Sequence, residues 1–277
     1  MPTLHFLTVC GSLRSESYNG ALLRTAEAEL TRLGASFERH SAISDIPHFN
    51  QDLEAEPPAV VVEMREKVLA ANGVLFATPA YNGSITGVLK DWIDWVSRPI
   101  GESVLARKHV GIVTASIGPN GGSQAAEYLE RITRAFKANV VAPVLSVPSV
   151  QTTLNEGAVP NKAVTALVNE VAQALVLSAR GAELIDNADR ERYELHIDGA
   201  MTGYSNYSIE SVGEVSVVEL PHTVTERPNG GQGMASFLTR GILDRIAATE
   251  SQRVLPSCEF VAEYIRTHPK YHHLLAT

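Results

Sequence analysis

Only two cysteines, Cys10 and Cys258, occur in 277 residues, and they lie at opposite ends of the chain. Neither a disulfide framework nor a cysteine-based metal site is therefore expected. No apolar run approaches the ~20 residues that span a bilayer, and the opening MPTLHFLTVC lacks the basic segment of a secretory leader. Long basic runs are missing too: 23 Lys and Arg stand against 31 Asp and Glu, for a net charge of −8. That balance argues against nucleic acid as a main partner. Neither a Walker A loop nor a G-x-G-x-x-G fingerprint occurs, so an NTP or a dinucleotide held in the usual way is not implied. The absences together lead to the expectation of a soluble, cytoplasmic protein without a membrane segment.

What is present is a chain long enough for two cores, since domains tend toward ~100 to 150 residues. Up to about Leu177 it alternates apolar runs with amphipathic segments. The runs LHFLTVC, SFERHSA, GVLFATPA, HVGIVTAS and VVAPVLSVP read as strands, and helices follow Tyr18, Pro58, Thr86, Gly122 and Pro160. Five β-α units in this rhythm predict an open, mostly parallel five-stranded sheet with helices on both faces. In such sheets ligands bind beyond the carboxyl ends of the strands, near the reversal of strand order. The loops after the first, third and fourth strands are thus the places to inspect.

The first of these loops, GSLRSESYN, joins a buried strand to a helix. Unpaired N–H groups and a positive dipole end make a helix start a site for an anion. Ser12, Ser15 and Ser17 add hydroxyls, Asn19 an amide and Arg14 a cation, which suits a ligand with one phosphate. After the third strand, PAYNGS breaks the chain and exposes an aromatic ring, although Tyr81 is also suited to cover the core. The loop ASIGPNGG after the fourth strand is rich enough in glycine for a flat ligand to approach its backbone. A mononucleotide with an aromatic head fits all three.

GSLRSESYN, PAYNGSITGVLKDWIDWVSR and ASIGPNGG together resemble the motifs of the NADPH-dependent FMN reductase family, over roughly residues 3 to 177. The resemblance implies a flavodoxin-like fold, bound FMN, and electron transfer from NADPH or NADH to a flavin, quinone, azo or similar acceptor. It places Ser12, Arg14, Ser17 and Asn19 at the phosphate. Pro79, Tyr81, Asn82, Gly83 and Ser84 are implied on one side of the isoalloxazine, with Ser116, Gly118, Gly121 and Gly122 on the other. No side chain is implied as general acid or base, because hydride transfer is the cofactor's own chemistry. The helix LKDWIDWVSR, with Lys90 and Asp94 at i, i+4 and Trp92 and Trp95 at i, i+3, is either ordinary core or the interface of a dimer or tetramer.

The rhythm changes near SARGAELIDNADRERYE, which reads as a linker and sets domains of 1–179 and 180–277. Beyond it, RYELHIDGAMTGYSNYSI reads as a hairpin turning at Asp198-Gly199, followed by the strand VGEVSVVELPHTV. NGGQGMASFLTRGILDRI again has a glycine loop opening a helix. With HTV and PSCEFVAEYIRTHPKY, this half resembles the small members of the GNAT acetyltransferase superfamily over about residues 187 to 275. That resemblance implies an acetyl-CoA loop of Gly231, Gln232, Gly233, Met234 and Ala235, with Cys258 near the acetyl group. The chain departs from the pattern twice: Gly230 stands where the family has an Arg, and Val224 where it has an acidic residue. Cys258 precedes a helix, which favours a reactive thiolate, and is equally suited to small-residue packing. His222, His268, His272 and His273 have no metal-ligand spacing and are expected on the surface. Two further readings stay open: an acetyltransferase in which the first half binds or dimerises, and a flavin carrier or redox sensor without catalysis.

Overall fold

The structure, a computed structural model, describes residues 3–155, 159–213, 215–226 and 231–276. The chain divides into two compact units, Met1–Ala179 and Arg180–Thr277.

In the first unit the strands are β1 (His5–Cys10), β2 (Ser36–His40), β3 (Gly73–Thr78), β4 (His109–Ala115), β5 (Asn139–Val140) and β6 (Leu145–Val147). The helices between them are α1 (Tyr18–Arg32), α2 (Ala59–Ala70), α3 (Gly87–Val96) and α4 (Ser123–Ala135). The sheet order is β2-β1-β3-β4-β5, all parallel, with β6 also paired to β4. β3 is buried throughout and β1 nearly so, as expected of central parallel strands covered on both faces, whereas β2 shows the half-exposed pattern of an edge. The fifth predicted strand is broken into β5 and β6 around Pro143, which has no N–H for the ladder.

The residues of α2, α3 and α4 close one core with Trp92, Trp95 and Phe76 at its centre. Trp92 meets Phe76 edge-on at 5.3 Å, and the indole N–H of Trp95 donates to the Pro47 carbonyl at 2.9 Å. Both indoles are buried in their own unit. The two indoles thus belong to the core of their own unit, and Lys90 and Asp94 form the ion pair, 2.7 Å apart.

A short turn α5 (Val150–Thr153) and the small antiparallel pair β7 (Leu154–Asn155) and β8 (Val159–Pro160) lead into α6 (Lys162–Ala179), which packs on α1 and β4. The Gln173 side chain of α6 donates to Glu29 of α1 at 2.6 Å.

The second unit has one sheet ordered β13-β12-β11-β10-β9. The antiparallel strands are β9 (Glu183–Asn187), β10 (Arg192–Ile197), β11 (Ala200–Val212) and β12 (Val215–Thr225), after which α7 (Met234–Ala247) leads to β13 (Gln252–Leu255), parallel to β12. Helix α8 (Glu259–Thr267) follows. Asp198 (φ 52°) and Gly199 (φ 79°) make the tight turn between β10 and β11. Leu195, Ile197 and Val218 of the sheet and Leu238, Ile242 and Ile246 of α7 are buried. The segment read as a linker contains β9, a polar edge strand whose charged residues face water and so mask its alternation. Among the described residues no helix is long and apolar enough to cross a membrane.

Candidate active site

Strand order reverses between β1 and β3, and the loops after β1, β3 and β4 leave the same edge of the sheet because these strands run parallel. Gly11 starts the first loop at a place where only glycine fits. A Cβ there would stand 2.6 Å from Thr78 Oγ1 and 3.2 Å from Leu89. Ser17 is the N-cap of α1: its hydroxyl accepts from the Gly20 N–H at 3.3 Å and its carbonyl from the Ala21 N–H at 2.9 Å. Among the described residues the N–H groups of Tyr18 and Asn19 have no partner in the chain, and no carboxylate sits in the first helical turn. Ser12 is half-buried, with its hydroxyl accepting from the Arg14 N–H at 3.4 Å, and Arg14 is exposed. The sequence reading missed Arg24, whose guanidinium folds back over the first turn to within 3.6 Å of a Cβ placed on Gly20. Its i+4 spacing from Gly20 is the signal that could have found it.

Asn19 differs from the expectation. Its carboxamide is buried and bonded twice to Ala115 at the end of β4, accepting from the N–H at 2.9 Å and donating to the carbonyl at 3.1 Å. Both ends of the side chain thus serve the backbone, and the main-chain N–H is the group Asn19 leaves open at the helix start. Thr86 was also missed. It caps α3 by accepting from the Leu89 N–H at 3.4 Å and donates to the Gly11 carbonyl at 2.6 Å, so it ties the first loop to the third.

The third loop is a two-residue hairpin. Tyr81 and Ser84 exchange backbone bonds of 2.9 and 3.1 Å around Asn82 and Gly83, whose φ values of 52° and 75° require the left-handed conformation. Pro79 is buried at its base and Tyr81 stands half out of the surface. In the fourth loop the Gly118 N–H donates to the Ser116 hydroxyl at 3.0 Å, and Thr114 Oγ1 donates to the Gly121 carbonyl at 2.9 Å. Gly121 and Gly122 are buried. A Cβ on Gly121 would meet the Val147 backbone at 2.7 Å, and one on Gly122 would lie 3.6 Å from Ala80. Both pack beneath the loop, and Ser116, Ile117 and Gly118 form its outer part. Leu13, Tyr81 and Ile117, one from each loop, are 61%, 51% and 66% exposed. The edge thus combines free helix-start N–H groups and two cations with apolar side chains, a donor set suited to a phosphate joined to a flat ring.

In the second unit, Gly231 and Gly233 both have φ of 79°, and Gly233 is the N-cap of α7. The N–H groups of Met234 and Ala235 open that helix. Met234 is buried, so its side chain belongs to the core of this unit. Gln232 is half-buried, and Gly230 lies outside the described residues. β12 and β13 pair only as far as Glu219 and Leu255, and just beyond them the Cys258 N–H donates to the Leu220 carbonyl at 2.8 Å. Burial pushes the Cys258 thiol up. The N–H groups of Val261, Phe260 and Thr223, with the Thr223 hydroxyl, outweigh it and hold the thiol below its ordinary value. Thr223 is another residue that sequence reasoning missed. Val224 is half-buried; His222, His272 and His273 are exposed. His268, expected on the surface, is half-buried and stacked on Tyr264 at 3.9 Å. Among the described residues no group of three or more metal-ligating side chains is placed to hold an ion.

The family model of NADPH-dependent FMN reductase matches residues 4–152, more than half of the chain, and that of GCN5-related N-acetyl-transferase matches residues 192–274. The NAD(P)H-dependent FMN reductase PA1204 of Pseudomonas aeruginosa is 38% identical over 178 residues, which is 63% of this chain and 94% of that one. A quinone reductase of Escherichia coli is 40% identical over 143 residues, 50% of this chain and 73% of the relative. The fold of the first unit is shared with the NAD(P)H:(acceptor) oxidoreductase FerB of Paracoccus denitrificans, at a TM-score of 0.56 and 23% identity over 63% of this chain and 98% of that one. The chain belongs to the NADPH-dependent FMN reductase family and carries a GCN5-related N-acetyl-transferase domain in its second unit.

Proposed function

We propose that the first unit binds FMN at the edge formed by its three loops and uses NADPH or NADH to reduce a small acceptor of the quinone, azo or flavin type. The observation that carries this reading is the start of α1, where unpaired N–H groups of Tyr18 and Asn19 follow a loop that carries Ser12, Arg14 and Ser17. They receive the phosphate, and the macrodipole adds to their attraction. The turn from Pro79 to Ser84, with Tyr81 and the positive-φ pair Asn82 and Gly83, supports one side of the ring, and Ser116 and Gly118 the other. FMN, when bound, supplies the two-electron chemistry that links the nicotinamide nucleotide to the acceptor. The chain's own part is to hold the phosphate, align the ring through rigid backbone turns and leave an open face with exposed Leu13 and Ile117 for flat substrates.

The test is a visible spectrum of the purified protein loaded with FMN, taken without oxygen as NADPH or NADH and then a quinone are added. Bleaching by the nucleotide and return of the flavin band with the quinone are expected. A protein that takes up no FMN, or whose flavin is not bleached by either nucleotide, overturns the reading. Family resemblance also supports a homodimer or tetramer, and a monomer by light scattering at micromolar concentration removes that part.

For the second unit we infer weak acetyl-CoA binding at the start of α7, with the acetyl group toward Cys258. The start of α8 at Cys258, held to the end of the β12–β13 pairing by its bond to Leu220, and the lowered thiol of Cys258 favour it. Calorimetry with acetyl-CoA on the full chain tests it, and no detectable heat at millimolar ligand contradicts it.

A further inference from the structure

Asn19 lies in the segment expected to grip the phosphate, yet its surroundings assign it other work. β3 runs beside β4 only as far as Thr78, paired with Thr114, and Pro79, which has no N–H to offer, comes next. β4 continues for one residue more, to Ala115, which is 2% exposed and lies beyond the last β3 partner. A buried N–H and C=O left there without partners would be costly. The Asn19 carboxamide meets both, accepting from the Ala115 N–H at 2.9 Å and donating to its carbonyl at 3.1 Å. A carboxamide carries the same donor and acceptor as a peptide group, so this side chain replaces the strand residue that β3 lacks.

The consequence reaches the loop that begins at the next residue. The Ser116 N–H donates to the Val147 carbonyl at 3.2 Å, its hydroxyl accepts from Gly118, and Gly121 is held by Thr114. Val147, Ser149 and Val150 anchor this loop on its far side, and the two bonds made by Asn19 are what join its root to the start of α1.

We propose that the Asn19 side chain is a positioning group: it locks the loop on the ring side of the flavin site to the helix on the phosphate side and supports binding through the ring, while the main-chain N–H of the same residue faces the phosphate. This rests on the FMN reading above. A phosphate ligand and a positioning residue leave different signatures. Loss of a phosphate ligand weakens FMN and spares riboflavin, which has no phosphate; loss of the lock weakens both alike.

The experiment titrates the full-length wild type, Asn19→Ala, Asn19→Ser and Arg14→Ala with FMN and with riboflavin, well below each variant's melting transition. Asn19→Ala is expected to weaken FMN and riboflavin by the same factor, about tenfold, leaving their ratio as in the wild type. Arg14→Ala should reduce that ratio. Asn19→Ser is neutral and adds no charge beside the phosphate, and its shorter side chain loses the paired bonds to Ala115, so the same comparison can be read on it if Asn19→Ala does not fold. A ratio that collapses in the Asn19 variants would make the side chain a phosphate ligand and overturn the proposal. Unchanged affinity for both flavins, with only a lower melting temperature, would overturn it by reducing Asn19 to a purely structural role. A wild type that binds neither flavin would remove the FMN reading itself, and the proposal with it.

Discussion

The starts of α1 and α7 are built to one plan, a strand that ends in a glycine-bearing loop and feeds a helix N-terminus, but they are equipped differently. At α1 the unpaired N–H groups have Ser12, Arg14 and Arg24 around them, and Asn19 and Thr86 fasten the loop to its neighbours. At α7 the approach is opened by Gly231 and Gly233 in the left-handed region, and Gly230 occupies the place where the resembled family has an arginine. Backbone donors supply a geometry for an anion in both places. Charge and a fixed loop turn that geometry into affinity; the α1 loop carries Arg14, whereas Arg227, ahead of α7, lies outside the described residues.

The largest effect that would break the contrast is expected from Gly11→Val. The new side chain would enter the space of Thr78 and Leu89, destabilising the first unit by about 3 kcal/mol and removing flavin binding. Gly199→Ala in the second unit, where φ is 79° and nothing lies within 4 Å of a Cβ, should cost only about 1 kcal/mol. Urea unfolding of both variants checks the difference. Next, Arg14→Ala should weaken FMN by about 2 kcal/mol, the scale of a charge-assisted hydrogen bond. Isothermal calorimetry measures this, and a loss under a few tenths of a kcal/mol would place the phosphate elsewhere. In the opposite direction, Gly230→Arg should tighten acetyl-CoA binding by about 1 to 2 kcal/mol and bring the second site nearer to the first.

The smallest effect concerns the one cysteine in each unit. Burial raises the Cys10 thiol above its ordinary value, while burial of Cys258 is outweighed by the donors around its sulfur. A group that ionises more readily when folded adds stability as pH rises through its range, and one that ionises less readily removes it. Raising the pH into the thiol range should thus favour the second unit and disfavour the first. In the same range an alkylating reagent should modify Cys258 before Cys10, as mass spectrometry of timed samples can read. Thr223→Val should slow Cys258 by a few-fold.

The parallel sheet and the three loops were legible in the sequence because their signals are local. β1, β3 and β4 are nearly unbroken apolar runs, and glycine, proline and hydroxyl residues mark where each ends. β9 was not legible: ELIDN is a polar edge strand, and it shows itself only by pairing with β10. The division into β5 and β6 could have been read from Pro143. Asn19 and Thr86 could not have been assigned, since their bonds cross 96 and 75 residues of sequence and depend on which backbone groups the sheet leaves unpaired. Trp92 and Trp95 sit at helical spacing in either reading, and burial alone decides for the core.

The central claim is that the start of α1 recognises one phosphate attached to a flat ring. Calorimetric titration of the full-length wild type with FMN and with riboflavin tests it most directly. FMN is expected to bind more tightly by about 2 kcal/mol or more, the scale of its charge-assisted contacts; equal affinity for the two flavins would contradict the account.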